Sequence, residues 1–190
     1  MSGLINGTTS KNRHNVFVSY HDKNDRYYRD KFEVLFDETY DLLISKSVQD
    51  GDIPENESPE NVQRIIRDDY LRDSTVTVVL IGTETWKRKH VDWEIASSIR
   101  KTKHSSRSGL IGLLLPSRDD FKSKCFTRNT IPPRLYDNQQ CGFAKIYNWS
   151  TDPDFIHRII HQAFLRRDEV LPVNSRALFV KNRSSERWSD

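Results

Sequence analysis

Cysteine is scarce in this chain, with Cys125 and Cys141 alone among 190 residues. Neither belongs to a CxxC pair, so metal ligation is not expected and no disulfide framework is suggested; reduced thiols in a cytoplasmic protein are the expectation. Long hydrophobic runs are missing too. No apolar stretch approaches the roughly 20 residues that span a bilayer, and Met1–Asn15 lacks an apolar core of signal-peptide length. Nor does one sign of charge dominate. The 30 basic and 27 acidic residues leave a formal charge of +3, a balance too even to argue for nucleic acid, and zinc-finger spacing and RNA-reading aromatics are absent. The seven glycines build neither GxGxxG nor GxxxxGK(S/T), so neither known pyrophosphate cradle is available.

What is there fits one soluble, rather polar domain with a real core: 30% charged and 35% hydrophobic residues, in a chain short for two domains. Five runs read as strands: Val16–Tyr20, Asp41–Ser45, Val76–Ile81, Leu110–Leu115 closed by Pro116, and Gly142–Tyr147. The middle ones are nearly all apolar, as strands covered on both faces are. Helical patterns separate them. Tyr28, Phe32, Leu35 and Phe36 share one helix face. Ser58-Pro59 starts a helix buried through Val62, Ile65, Ile66 and Tyr70. Val91, Ile95 and Ile99 mark the helix after the third strand, and Asp152-Pro153 opens one buried through Phe155, Ile156, Ile159, Ile160, Ala163 and Phe164. This alternation predicts an α/β, flavodoxin-like three-layer fold around a central five-stranded parallel sheet, in the order 2-1-3-4-5. Ser117–Gln140 is long for a connection and predicts a short helix or a functional loop. Residues 1–14 read as an N-terminal tail, and 171–190 as a C-terminal tail or short docked extension, with Ala177–Val180 able to dock.

Open parallel sheets bind ligands at the carboxyl ends of their strands. Two segments fall there. Ser19-Tyr20-His21-Asp22 closes the first strand, dense in hydrogen-bonding groups, although Asn24 or Asp25 could be serving as a helix cap. Thr83 and His90 follow the third strand, and Glu94 sits on the next helix beside the expected pocket. An acidic residue favoured by the helix dipole is the competing account of Glu94. A phosphoacceptor receiver would need an Asp at the end of the third strand, where Ile81-Gly82-Thr83 stands instead. His157 and His161 have zinc-pair spacing, but the glutamate of HExxH is missing and Arg158 sits alongside, so a solvated face is expected. The acidic stretch Asp50–Glu60 lacks the EF-hand pattern and reads as a mobile solvated loop.

Three segments taken in order, Asn15–Asp25 (NVFVSYHDKND), Ser74–Trp86 (STVTVVLIGTETW) and His90–Ile95 (HVDWEI), resemble the TIR-like domain of bacterial defence proteins, in particular the TIR-like component of the Thoeris antiphage system. The resemblance runs from about Asn15 to Tyr147, within a TIR-like domain expected over 15–170. It implies cleavage of the nicotinamide–ribose bond of NAD by one glutamate, at the position of Glu94. It also implies a cyclic ADP-ribose isomer as product, a diffusible signal to a companion effector that depletes NAD. NAD is then a substrate, and no cofactor, metal, nucleic acid or membrane is expected; self-association is left open. Ser19, Tyr20, His21, Asp22, Thr83 and His90 become candidates to line the NAD pocket, with Glu94 catalytic. One departure stands out: His90 occupies the position where many TIR enzymes carry tryptophan, with Trp86 a turn earlier and Trp93 adjacent. Two other readings remain, a TIR-like scaffold that catalyses nothing and a nucleoside (deoxy)ribosyltransferase.

Overall fold

The computed structural model describes residues 14–40, 43–45, 48, 51–54, 56–103 and 105–189. Its strands β1 (Asn15–Ser19), β2 (Leu43–Ser45), β3 (Val76–Ile81), β4 (Gly109–Leu114) and β5 (Ala144–Asn148) are parallel and ordered β2-β1-β3-β4-β5. Helices α1 (Asp22–Tyr40), α2 (Pro59–Ile65), α3 (Lys89–Ser98), α4 (Pro133–Gln140) and α5 (Pro153–Glu169) connect and cover them. The fold is mixed α/β, with helices on both faces of a parallel sheet.

Side-chain alternation along the strands assigns those faces. Val16, Val18, Val76, Val78, Leu80, Ile111 and Leu113 pack against Phe32 and Phe36 of α1 and the apolar stripe of α5. Val79, Ile81, Leu110 and Leu114 meet Val91 and Ile95 of α3 and Leu135 of α4. Phe17 joins Val62, Ile66 and Trp93 in a third cluster. The helix starts use local chemistry: Ser58 Oγ accepts from the Asn61 N–H, and Asp152 Oδ1 from those of Asp154 and Phe155, each followed by proline at the first helical position.

Several boundaries differ from the sequence expectation. β1 ends at Ser19, leaving Tyr20 just beyond it. β5 begins two residues late because Gly142, at φ +84°, closes the turn after α4. Residues Asp41 and Leu42 of the expected second strand lie outside the described residues. The helix begun at Pro59 gives way to a π-helical turn over Ile66–Tyr70. The long connection holds a single 3₁₀ turn, Arg128–Thr130, and the short helix α4.

Residues 171–189 lie along α3 and α4 as an irregular strap. The Phe179 N–H donates to Asp92, the Arg183 N–H to the Lys87 carbonyl, and the buried Trp188 indole to the Ile131 carbonyl.

Candidate active site

The strands run parallel, so Ser19 at the end of β1 and Ile81 at the end of β3 share one edge of the sheet, and α3 starts there. Glu94 sits midway along α3 and is 1% exposed. Its Oε2 accepts from the Ser19 hydroxyl at 2.5 Å and its Oε1 from the Val48 N–H at 2.8 Å. A carboxylate attracted only by the helix dipole would lie in water at the first turn; this one is turned into the protein. Burial pushes its pKa from 4.5 up to about 8, against the two donors. Glu94 is therefore an oriented acid, kept mostly neutral near pH 7.

Beside it lies a hollow of about 280 Å³. Tyr20, His21 and Asp22 form one side, Arg88 and His90 the other, with Lys23 and Val48 completing it. Val48 thus lines the hollow while its N–H caps Glu94. The Tyr20 hydroxyl donates to Asp22 at 3.0 Å, and burial followed by that bond pushes its pKa up to about 12. The bond from Arg26 holds Asp22 below the usual carboxylate range.

Ser19, Tyr20, His21, Asp22, His90 and Glu94 are brought together, Ser19 at the carboxylate itself and the others around the hollow. Thr83 is not. It is exposed and lines a separate hollow of about 380 Å³ with Arg118, Asp120 and Thr130. The residue tied to the site's edge is Thr85, whose hydroxyl accepts from the Gly82 N–H at 2.8 Å and donates to Asp25 at 2.9 Å. A Cβ on Gly82 would stand 2.2 Å from an Asp25 oxygen, so only glycine permits this approach. Asp25 does serve the start of α1, accepting from the His21 backbone N–H, but it is also buried, and burial raises its pKa to about 6.

Trp86 is 1% exposed and belongs to the interior. The Trp93 indole N–H donates to the Phe179 carbonyl of the strap at 2.8 Å. The aromatic rings at the hollow, among the described residues, are therefore Tyr20, His21 and His90, the last edge-on to Trp93 with centroids 5.3 Å apart. Sequence reading also missed Lys23, Arg88 and the Val48 amide; the basic run Lys87–His90 was the available signal for Arg88.

His157 and His161 do not form a solvated face. They are half-buried, and His161 Nδ1 lies 3.1 Å from Nε2 of the buried His14. Among the described residues no group of three potential ligands could hold a metal ion. In the acidic stretch, Ile53 is buried and Asp52 accepts from the Tyr70 hydroxyl, so that part is anchored. Asp50 and Glu55 lie outside the described residues.

A doubly covered parallel sheet, with a buried glutamate behind β3 and a polar hollow at the end of β1, defines a TIR-like domain. The family model described as "Thoeris protein ThsB, TIR-like domain" matches residues 17–120, from β1 past the end of β4. The chain belongs to that family, and is a TIR-like module of Thoeris defence. No curated protein matches the chain significantly. Among the described residues no helix is long and apolar enough to cross a membrane.

Proposed function

We propose that this chain is an NAD-cleaving TIR-like enzyme of antiphage defence whose catalytic group is Glu94. The observation that carries the reading is Glu94 itself: a fully buried carboxyl group oriented by Ser19 and Val48, next to a hollow at the edge where parallel sheets take their ligands.

Nicotinamide in NAD is cationic, so the C1′–N bond breaks with its electron pair leaving on a neutral nicotinamide, and no acid is required. Positive charge then develops at the ribosyl carbon, as in glycoside hydrolysis. A fixed carboxylate stabilises that charge more in the transition state than in the ground state. Bringing the cation beside Glu94 also draws its pKa down, favouring the ionised form that the chemistry needs. A nucleophile from the ADP-ribose portion then closes the ring, giving a cyclic ADP-ribose isomer that signals to a companion effector. Tyr20 and His90 offer rings to the nicotinamide, and Arg88 and Lys23 offer charge to the pyrophosphate.

The structure supports a resting form for this enzyme. The hollow is smaller than the roughly 300–1,000 Å³ usual for ligand pockets, and Val48 covers the carboxylate. Val48 must withdraw for NAD to reach Glu94. The same seal also favours a second reading, an interaction module that turns nothing over.

Infected cells expressing wild type or Glu94→Gln separate the two. Nicotinamide and a cyclic nucleotide should accumulate only with the wild type, by at least a hundredfold over the variant. Equal product from both would reject the assignment. Self-association without NAD turnover under infection would favour the module.

A further inference from the structure

A larger hollow, of about 770 Å³, lies at the other edge of the sheet. α3 runs from the carboxyl edge to Ser98, whose carbonyl accepts from the Ser108 N–H just before β4, and this fixes the hollow at the amino edge. Its walls are α2, the π-helical turn, the end of α3 and the connection leading to β4.

Two buried groups on these walls are unsatisfied. Arg67 is 6% exposed. Its Nη2 donates to Ser105 Oγ and the Ser106 carbonyl, while Nε and Nη1 are buried without a hydrogen-bond partner. Ser97 Oγ is in the same condition. A buried guanidinium with unmet N–H groups is costly, and native structures rarely leave such groups without a partner. Burial also draws the Arg67 pKa below its usual value. Arg67 stands on a π-helical turn, a local distortion found often at functional sites.

Two further arginines line the hollow from its exposed rim, Arg72 and Arg100, the latter lending Nη1 to Gln63 at 2.6 Å. Arg64 is engaged by Asn61, to which its Nη2 donates at 2.6 Å, with Asp68 3.8 Å away. The free donors of Arg67, Arg72, Arg100 and Ser97 exceed the roughly four acceptor sites of a carboxylate, and suit an anion with three strong acceptor oxygens. Glu60 and Asp69 on the same walls are acceptors for hydroxyl groups. We propose that this hollow binds a phosphate ester of a small polyhydroxylated molecule, with Arg67, Arg72, Arg100 and Ser97 on the phosphate and the acidic residues on the hydroxyls. The proposal does not depend on Glu94 chemistry, although Ser97 and Glu94 share α3.

Calorimetric titration and thermal unfolding of the full chain with ribose 5-phosphate, inorganic phosphate and ribose test it. Ribose 5-phosphate should bind saturably and raise Tm, inorganic phosphate should bind about tenfold more weakly, and ribose should not bind. Arg72→Gln and Arg100→Gln, both at exposed positions, should keep the ligand-free Tm and each weaken binding about tenfold. Arg67→Gln should abolish binding, and Glu94→Gln should leave it intact. The site is rejected if neither phosphate compound binds saturably, or if Arg72→Gln and Arg100→Gln bind like wild type. Loss of binding in Glu94→Gln would move it to the other edge, and inorganic phosphate binding as tightly as the ester would reject the organic ligand.

Discussion

Taking Glu94 out of water penalises its charged form more than the Ser19 hydroxyl and Val48 amide favour it, so its native pKa of about 8 lies well above the ordinary 4.5. Between those values the folded chain holds a proton that the unfolded chain has released. Stability therefore falls as pH rises through this window and levels off above it, by an amount on the order of several kcal/mol at most. Glu94→Gln cannot ionise and should lose this component. Melts of both proteins from about pH 5 to about pH 8.5 should show the variant gaining Tm relative to wild type as pH rises; a constant difference would mean that Glu94 is not a buried acid in solution. Taking the difference cancels Asp25, which titrates in the same range. At this scale the sequence reveals carboxylates, hydroxyls and their spacing, so Glu94 and the Ser19–Asp22 run were legible. Val48 was not, because its contribution is a backbone N–H that any non-proline residue carries. Asp25 was hidden for another reason: its burial depends on Gly82, remote in sequence, having no side chain.

The helix α3 carries Glu94, and the strap fixes that helix from behind. Asp92, one turn face away from the catalytic side, accepts from Arg134 Nε at 3.0 Å and Nη2 at 3.3 Å and from the Phe179 N–H at 3.0 Å. Arg134 spends its remaining donors on Asn174 and on the carbonyls of Arg176 and Ala177. Both side chains are buried, so removing one partner strands the other's charge. Asp92→Ala should cost about 3–5 kcal/mol, while Asp92→Leu combined with Arg134→Met should cost clearly less than the single change. Urea denaturation of the two variants checks this; equal losses would show that lost packing, rather than an uncompensated charge, sets the cost. The helices α1, α2 and α5 were legible because their apolar spacing and caps are local. The strap was legible only as a patch of apolar residues, Ala177–Val180, since it has no period and its anchors are backbone groups, the scattered polar side chains of Asn174, Arg176 and Asn182, and Trp188. Within that patch Val180 is almost fully exposed, so hydrophobicity alone misjudged which residues dock.

Over the whole molecule, β4 couples the two faces. Ile111 and Leu113 belong to the α1–α5 side, and Leu110 and Leu114 to the α3–α4 side. The parallel sheet was legible from the nearly unbroken apolar runs of β3 and β4, but for the same reason their parity was not: when every position is buried, nothing in the sequence says which residue faces which layer. Gly109 shows what that packing demands. A Cβ there would stand 2.3 Å from the Ala163 carbonyl oxygen, so β4 lies directly on the α5 backbone. Gly109→Ala should force α5 outward and cost about 2 kcal/mol. Trp149 reports from the α1–α5 side and Trp188 from the strap beside α4. If β4 makes the layers one cooperative unit, single-tryptophan proteins retaining either residue should unfold in urea at a common midpoint, and Gly109→Ala should shift both equally. A shift confined to Trp149 would mean that the α5 layer opens alone, leaving the strap and the helix that carries Glu94 folded without it.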